Sequence, residues 1–395
     1  MASFDPGDPR YVEDGVPFDE LQTIRREHRV YRTPAGEWYL GRYADVEAAL
    51  KDIDVFRADL GAMTGIPAGV GAIPDDQHYL SEIAEPRHGA IRRLFNAALA
   101  THRVKQVEPA IVSECHRLVD RLSEPEVVDL HAEYAMAIPA FAMAHIMGFG
   151  ADAVAHFMRW SMDGTIMTRP CSPDAPPEGP ASHPFFEARL AEELKRAEPS
   201  NHLFQVMLDA EIEGRPLTDR EITTQLHFMI QAGVHTTRSL LAHLMNRLVQ
   251  DAGLYAALSD DPALVPRLVE ESLRHDSPVQ GTPRHVTRDV EIGGALVQRS
   301  EWVTMGIGCA NRDEEVYDDP EAFRLDREDP RRHLAFGAGP HICPGATLAR
   351  LEGVTAVRVL IERVERLQAV EGARYPPLPG SLGHQPIPAR LIPRI

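Results

Sequence analysis

Apolar residues recur at three- and four-residue spacing along most of the chain, and this helical period breaks at proline- and glycine-rich stretches. Leu21 to Arg29 and Ala44 to Asp52 read as short helices. Between them, Val30-Tyr31-Arg32 and Glu37-Trp38-Tyr39-Leu40 flank Thr33-Pro34-Ala35-Gly36, a hairpin signal. Residues 54 to 80 lose the period while carrying Leu60, Met63, Ile66, Val70 and Ile73, and so long an apolar-studded loop is more often functional than accidental. Residues 104 to 165 return to helix. Thr218, with Glu221 three residues on, forms a capping box that opens a long helix through Thr237. The stretch from His275 to Arg284 turns from helix to strand, and Asp289 to Gly294 and Val297 to Met305 read as strands around a Gly-Gly turn. Leu348, Leu351, Val354, Val357, Leu360 and Ile361 mark a last helix. The pattern predicts a mainly α chain with a smaller β region. Residues 1 to 16, rich in Pro, Gly and Asp, read as a loosely held arm, with residues 17 to 395 as one domain.

Composition narrows the function classes. With 395 residues, 44% of them hydrophobic, the chain can bury a large core. A formal charge of −18 argues against general binding to nucleic acid or to an anionic membrane. The most apolar window, Ala135 to Gly150, is too short to span a membrane and contains Pro139, so it reads as a core helix. No basic segment followed by an apolar run opens the sequence, so no secretory signal is expected. Four scattered cysteines (Cys115, Cys171, Cys309, Cys343) suggest no disulfide framework and fit a reducing cytoplasm.

The chemistry concentrates at His333-Leu334-Ala335-Phe336-Gly337-Ala338-Gly339-Pro340-His341-Ile342-Cys343-Pro344-Gly345. This stretch places one cysteine just before a helix start, where unpaired N–H groups and the helix dipole favour an anionic sulfur. Such a thiolate could be a nucleophile, a redox sensor, one of several metal ligands or the axial ligand of a haem. The spacing Phe-x-x-Gly-x-x-x-Cys-x-Gly followed by Leu348-Ala349-Arg350 resembles the haem-ligand loop of the cytochrome P450 family, with Phe336 shielding the sulfur and Gly345 following it.

Three further stretches carry the resemblance. His88 and Arg92 lie four residues apart in Glu85-Pro86-Arg87-His88; by spacing alone they are an ordinary helix face, and by resemblance they hold a haem propionate. Ala232-Gly233-Val234-His235-Thr236-Thr237 resembles the family's oxygen-activation helix, with Thr236 in the place of the threonine that bonds iron-bound oxygen and water. A glycine and two threonines cost helix stability, so a local feature should offset them. Glu271 and Arg274, which spacing alone would make a weak surface pair, resemble the family's buried Glu-x-x-Arg pair, joined by Arg327 as structural support. The resemblance also implies that Arg284 and His341 join the propionate partners and that Val279, Gln280 and Leu382 border the substrate. Arg169 to Pro180 could be a linker, and the resemblance favours a loop joining two lid helices.

Helical spacing back from Thr236 puts Ala232, Gln231 and Phe228 on one face. Gln231 would either bond a substrate or satisfy itself with backbone or water. The sequence departs from the family at His235, where an acid is usual. Three readings stand: a substitute proton relay, a packed histidine with no relay role, or an iron ligand.

The resemblance implies a single haem-enclosing domain holding haem b and acting as a monooxygenase. O2 and a small, largely apolar molecule would be its substrates, with terpenoid, aromatic, steroid and polyketide all compatible. Electrons would come from a separate ferredoxin and its NAD(P)H-dependent reductase, with Arg92, Arg93, Arg331 and Arg332 as a dock. Two alternatives remain: peroxide-driven or rearrangement chemistry, which would account for His235, and a non-catalytic haem-thiolate sensor.

Overall fold

The computed structural model describes residues 4–8, 10–59, 73–164, 182–375 and 385–394. Leu60, Met63, Ile66 and Val70 of the apolar loop, Cys171 with the 169–180 stretch, and Leu382 lie outside the described residues. The chain packs as two compact units.

The first unit comprises Met1–Arg57, Val112–Ala135 and Thr236–Ile395. Its main sheet runs in the order Tyr31–Arg32, Trp38–Leu40, Trp302–Met305, Thr282–Val286, Phe56–Arg57. The hairpin expected around Thr33 to Gly36 forms, with Tyr31 opposite Tyr39 and Arg32 opposite Trp38. Trp302–Met305 then adds parallel to Trp38–Leu40, a pairing that local pattern does not encode. Val290–Ile292 and Ala295–Val297 pair across Gly293 and Gly294, whose φ values of 59° and 83° only glycine adopts without strain. Trp302–Met305 is therefore a strand separate from that hairpin. Val364–Ala369, Pro388–Pro393 and Val128–Asp129 form a second sheet that the periodicity did not reveal. Within residues 1–16, read from sequence as an arm, Arg10–Asp14 is helical and Phe4 is buried against Tyr11 and Tyr39.

The second unit comprises Ala58–Ile111 and Met136–His235. Its helices include Arg87–Ala98, Ala137–Ile146, Ala151–Met162, Ser182–Glu193 and His202–Leu208. Ala137–Ile146 is the expected core helix, with Ala137 to Ala140 and Ala142 to Ala144 buried. Phe149, Phe157, Trp160, Phe185, Phe186 and Phe204 interlock as a chain of edge-on and tilted rings. Among the described residues no helix is long and apolar enough to cross a membrane.

The long helix Asp219–Gln250 begins in the second unit and continues into the first from Thr236. Its capping box is present: the Thr218 N–H donates to Glu221 Oε2 at 2.8 Å, and the Glu221 N–H to Thr218 Oγ1 at 3.2 Å. Burial works against an ionised Glu221, but Arg215, the Thr218 N–H and Arg87 outweigh it and bring the carboxyl to about 2. The helix runs unbroken through Gly233. A Cβ at that position would lie 2.7 Å from Met143 Sδ, so the glycine permits close approach of Ala137–Ile146. That packing is the local compensation its helix penalty called for.

Candidate functional site

The thiolate loop is built by short-range backbone bonds. Gly337 N–H donates to Leu334 O at 2.8 Å, and Cys343 N–H donates to Phe336 O at 2.8 Å. Gly339 has φ +69°, and a Cβ there would sit 2.7 Å from Leu50 O, so the turn presses on the end of Tyr43–Lys51 as only glycine can. Helix Ala346–Arg363 follows with Gly345 as its N-cap, which sets Cys343 just ahead of the N-terminus, exposed. The other two described cysteines are buried, and burial pushes Cys115 up to about 12 and Cys309 to about 11. No group of three or more His, Cys, Asp or Glu able to hold a metal ion is found among the described residues. A lone sulfur ligand is therefore what the described chain offers.

The long helix is partly open along one stretch. From Glu221 to Met245 every residue is buried except Phe228, Gln231, Ala232, Gly233 and Thr236. Helical spacing puts Ala232 about 40° and Phe228 about 80° from Thr236, on its face, whereas Gln231 lies about 140° away and Gly233 packs toward Met143. Phe228 is fixed by stacking on Tyr79, with ring centroids 5.2 Å apart, and by an edge contact with Phe95 at 6.1 Å. His235 points elsewhere: it is buried, and its Nδ1 lies 3.4 Å from Ser161 Oγ on Ala151–Met162. Adjacent helical residues diverge by about 100°, which is why His235 leaves the face that Thr236 keeps.

The expected propionate partners are placed as follows. His88 is buried on Arg87–Ala98, with Nδ1 2.6 Å from Glu85 Oε1, and Arg92 is half-buried one turn later. His341 is half-buried in the turn ahead of Cys343. Arg284 is buried in its strand, donates to Thr282 Oγ1 and to Pro283 O, and pairs with no carboxylate among the described residues. Burial alone pulls its guanidinium down to about 10. A buried cation of this kind requires an anion.

Glu271 and Arg274, both buried, come together with the half-buried Arg327. Arg274 grips Glu271 at 2.7 and 2.8 Å, and Arg327 Nε lies 2.9 Å from its second oxygen. Val279 is half-buried against the sheet core. Gln280 donates from Nε2 to Ser277 O at 2.6 Å, while its Oε1 lies buried over Gly308. Residues that sequence reading did not single out also shape the site. Glu85 orients His88, Ser161 meets His235, and Asn311 Oδ1 accepts the Leu334 N–H at 2.7 Å to brace the cysteine loop. The i, i+3 spacing of Glu85 and His88 was a usable signal. The other two contacts span 74 and 23 residues and left none.

A sulfur at a helix N-terminus and a buried guanidinium with no carboxylate partner among the described residues fit a haem, which needs one axial ligand and counter-charges for two carboxylates. A family model described as Cytochrome P450 matches residues 183–372. The chain is 32% identical to Cytochrome P450 107B1 of Saccharopolyspora erythraea, over 84% of this chain and 82% of that one. It is 30% identical to the same organism's Erythromycin C-12 hydroxylase, over 91% and 90% respectively. Among solved structures, Cytochrome P450 CYP109Q5 from Chondromyces apiculatus superposes with a TM-score of 0.84 at 30% identity, covering 100% of this chain and 99% of that one. The mainly helical fold with its smaller β region is thus the P450 fold, and the chain belongs to the cytochrome P450 family, the haem-dependent oxidoreductases that its cysteine loop resembled.

Proposed function

We propose that the protein is a monooxygenase that inserts one atom of O2 into a small, largely apolar organic molecule, with haem b held by Cys343. The observation that carries this reading is the partly open face of the long helix, where Thr236 stands with Ala232 and Phe228, and Gln231 flanks Phe228 at its edge. An apolar ring, a carboxamide and a methyl make a wall that is mostly apolar with one polar handle. The relative named for hydroxylating C-12 of erythromycin supports a hydroxylation. Haem, when bound, supplies the oxygen-activating chemistry, with its thiolate ligand favouring O–O cleavage.

The chain's own residues bind, orient and move protons. The helix N-terminus behind Cys343 favours the sulfur anion. Arg284, His88, Arg92 and His341 neutralise the two propionates, and Glu85, 2.6 Å from His88 Nδ1, orients the His88 ring. Val279 and Gln280 border the substrate. Thr236 holds a hydroxyl proton on the open face, and His235 resupplies it from the Ser161 side. A serine hydroxyl both donates and accepts, so it can serve either imidazole tautomer. Electrons come from a ferredoxin and its NAD(P)H-dependent reductase, and the exposed Arg93, Arg331 and Arg332 suit an acidic carrier. We place the protein in the cytoplasm, in keeping with free thiols at Cys115, Cys309 and Cys343 among the described residues.

Oxygen uptake with a ferredoxin system, measured against ligands chosen by the spectral shift that accompanies loss of iron-bound water, tests the reading. Uptake coupled to product supports it. Product formed only with peroxide, or no product with any ligand that binds, counts against it. Thr236→Ala should cut coupled turnover on the order of 100-fold while ligand binding stays unchanged, the lower end of what a positioned proton donor contributes. His235→Phe should slow turnover about tenfold and leave ligand binding as it was, a smaller effect because the imidazole acts through Thr236. Unchanged turnover and coupling in His235→Phe would assign this histidine to packing alone.

A further inference from the structure

We propose that Glu270 is a positioning residue for the thiolate ligand, holding through His333 and Arg350 the Phe336 ring whose carbonyl anchors the Cys343 backbone. This rests on the reading of Cys343 as the haem ligand. Helix Val265–His275 carries two successive glutamates whose side chains diverge by about 100°. Glu271 serves the arginine pair already described. Glu270 instead meets both ends of the cysteine loop: His333 Nε2 lies 2.9 Å from its Oε2, and Arg350 donates Nε to Oε1 at 2.7 Å and Nη2 to Oε2 at 3.0 Å. These are the loop's first residue and the last of its Leu-Ala-Arg tail.

The His333 proton is assigned by its neighbours. Ala335 N–H, which can only donate, points to Nδ1 at 3.3 Å, so Nδ1 accepts and Nε2 carries the hydrogen given to Glu270. His333 thus presents Nε2 to Glu270, whose carboxylate also faces the Arg350 guanidinium. Arg331, with Nε 3.5 Å from Glu270 Oε1, is 73% exposed and adds a screened charge. Burial works against an ionised Glu270, but His333 and Arg350 outweigh it and bring the carboxyl to about 2.

Both groups that Glu270 holds lie against Phe336. The Arg350 guanidinium sits 4.5 Å from its ring centroid, and the His333 ring lies 6.0 Å away, tilted by 46°. The Phe336 carbonyl in turn accepts the Cys343 N–H at 2.8 Å. One buried carboxylate thus holds both of its partners against the ring of the residue whose carbonyl anchors the Cys343 backbone.

The test uses holoenzyme and reads the ferric/ferrous potential together with the rate at which the ferrous–CO complex loses its thiolate spectrum. Glu270→Gln keeps the shape and removes the charge, leaving Arg350 uncompensated. It should shift the potential upward and speed loss of the thiolate spectrum several-fold. Glu270→Asp keeps the charge and shortens the reach, so its potential should stay near wild type while its spectrum decays at an intermediate rate. Arg350→Gln should move the potential the opposite way to Glu270→Gln, which keeps the test open if either variant folds poorly. A purely structural glutamate would not produce opposite signs. Normal thiolate spectra in wild type, with potential and decay unmoved in both glutamine variants, overturn this inference and leave the proposed function standing. A wild-type protein without a thiolate spectrum overturns both.

Discussion

Glu271→Ala should destabilise the folded chain by about 3–5 kcal/mol, the loss expected when one partner of a buried ion pair is removed. Glu271 accepts from Arg274 and Arg327 and also from the Arg324 N–H at 2.8 Å. The guanidinium of Arg274 is 1% exposed, and its remaining donors go to the carbonyls of Asn311, Pro320 and Ala322. Those carbonyls satisfy hydrogen bonds without neutralising charge. Arg327 likewise reaches the Asp318, Asp319 and Ala322 carbonyls. Alanine would therefore leave one buried and one half-buried cation around a cavity, and the segment 318–327 that they tie down would loosen. Denaturant unfolding of wild type and variant measures the difference, and a midpoint unchanged within error would show that the cluster is a passive contact. Acid should act in the same direction. Burial opposes the Glu271 anion, but Arg274, the Arg324 N–H and Arg327 hold its carboxyl below the ordinary value. Its contribution is therefore complete above the unfolded carboxylate's pKa and is lost as pH falls through the lowered, folded value.

The same cluster shows where sequence reasoning stops. The spacing of Glu271 and Arg274 on a helix is local information, yet it described a weak surface pair equally well; burial and the arrival of Arg327, 56 residues on, depend on the tertiary fold. The open face of the long helix was legible because a 3.6-residue period fixes which side chains share a side whatever packs against them. The cysteine loop was legible because its glycines, prolines and sulfur act through neighbouring backbone, as in the Cys343 N–H to Phe336 O bond. The role of Glu270 was not legible: it joins partners 63 and 80 residues away, and its neighbour in sequence, Glu271, does something else. The second sheet escaped for a similar reason. Val364–Ala369 follows the last helix directly, and its burial recurs every third residue instead of alternating; its partner Pro388–Pro393 alternates but begins and ends on proline, which demotes a strand signal.

Cys343→Ser should abolish thiolate ligation and oxygen-dependent product formation while leaving the fold intact. The substitution exchanges one side-chain atom and removes none of the loop's backbone hydrogen bonds. What changes is the anion. A helix N-terminus can lower the pKa of a thiol that starts near 8.5 into the neutral range, but an alcohol begins several units higher and stays protonated. Serine therefore cannot offer the charged, electron-donating ligand on which O–O cleavage depends. The loop's scaffold does not use the sulfur: Gly339 against Leu50 O, the Leu334 N–H on Asn311 and the Glu270 contacts all survive the substitution. Cys115→Ser is the matching control. Burial holds that thiol near 12, so it contributes no anion, and its variant should keep the thiolate spectrum. The ferrous–CO spectrum of the two variants decides the matter: a thiolate signature that persists in Cys343→Ser would remove this cysteine from the site, whereas its loss there and retention in Cys115→Ser would trace the ligand to one exposed sulfur.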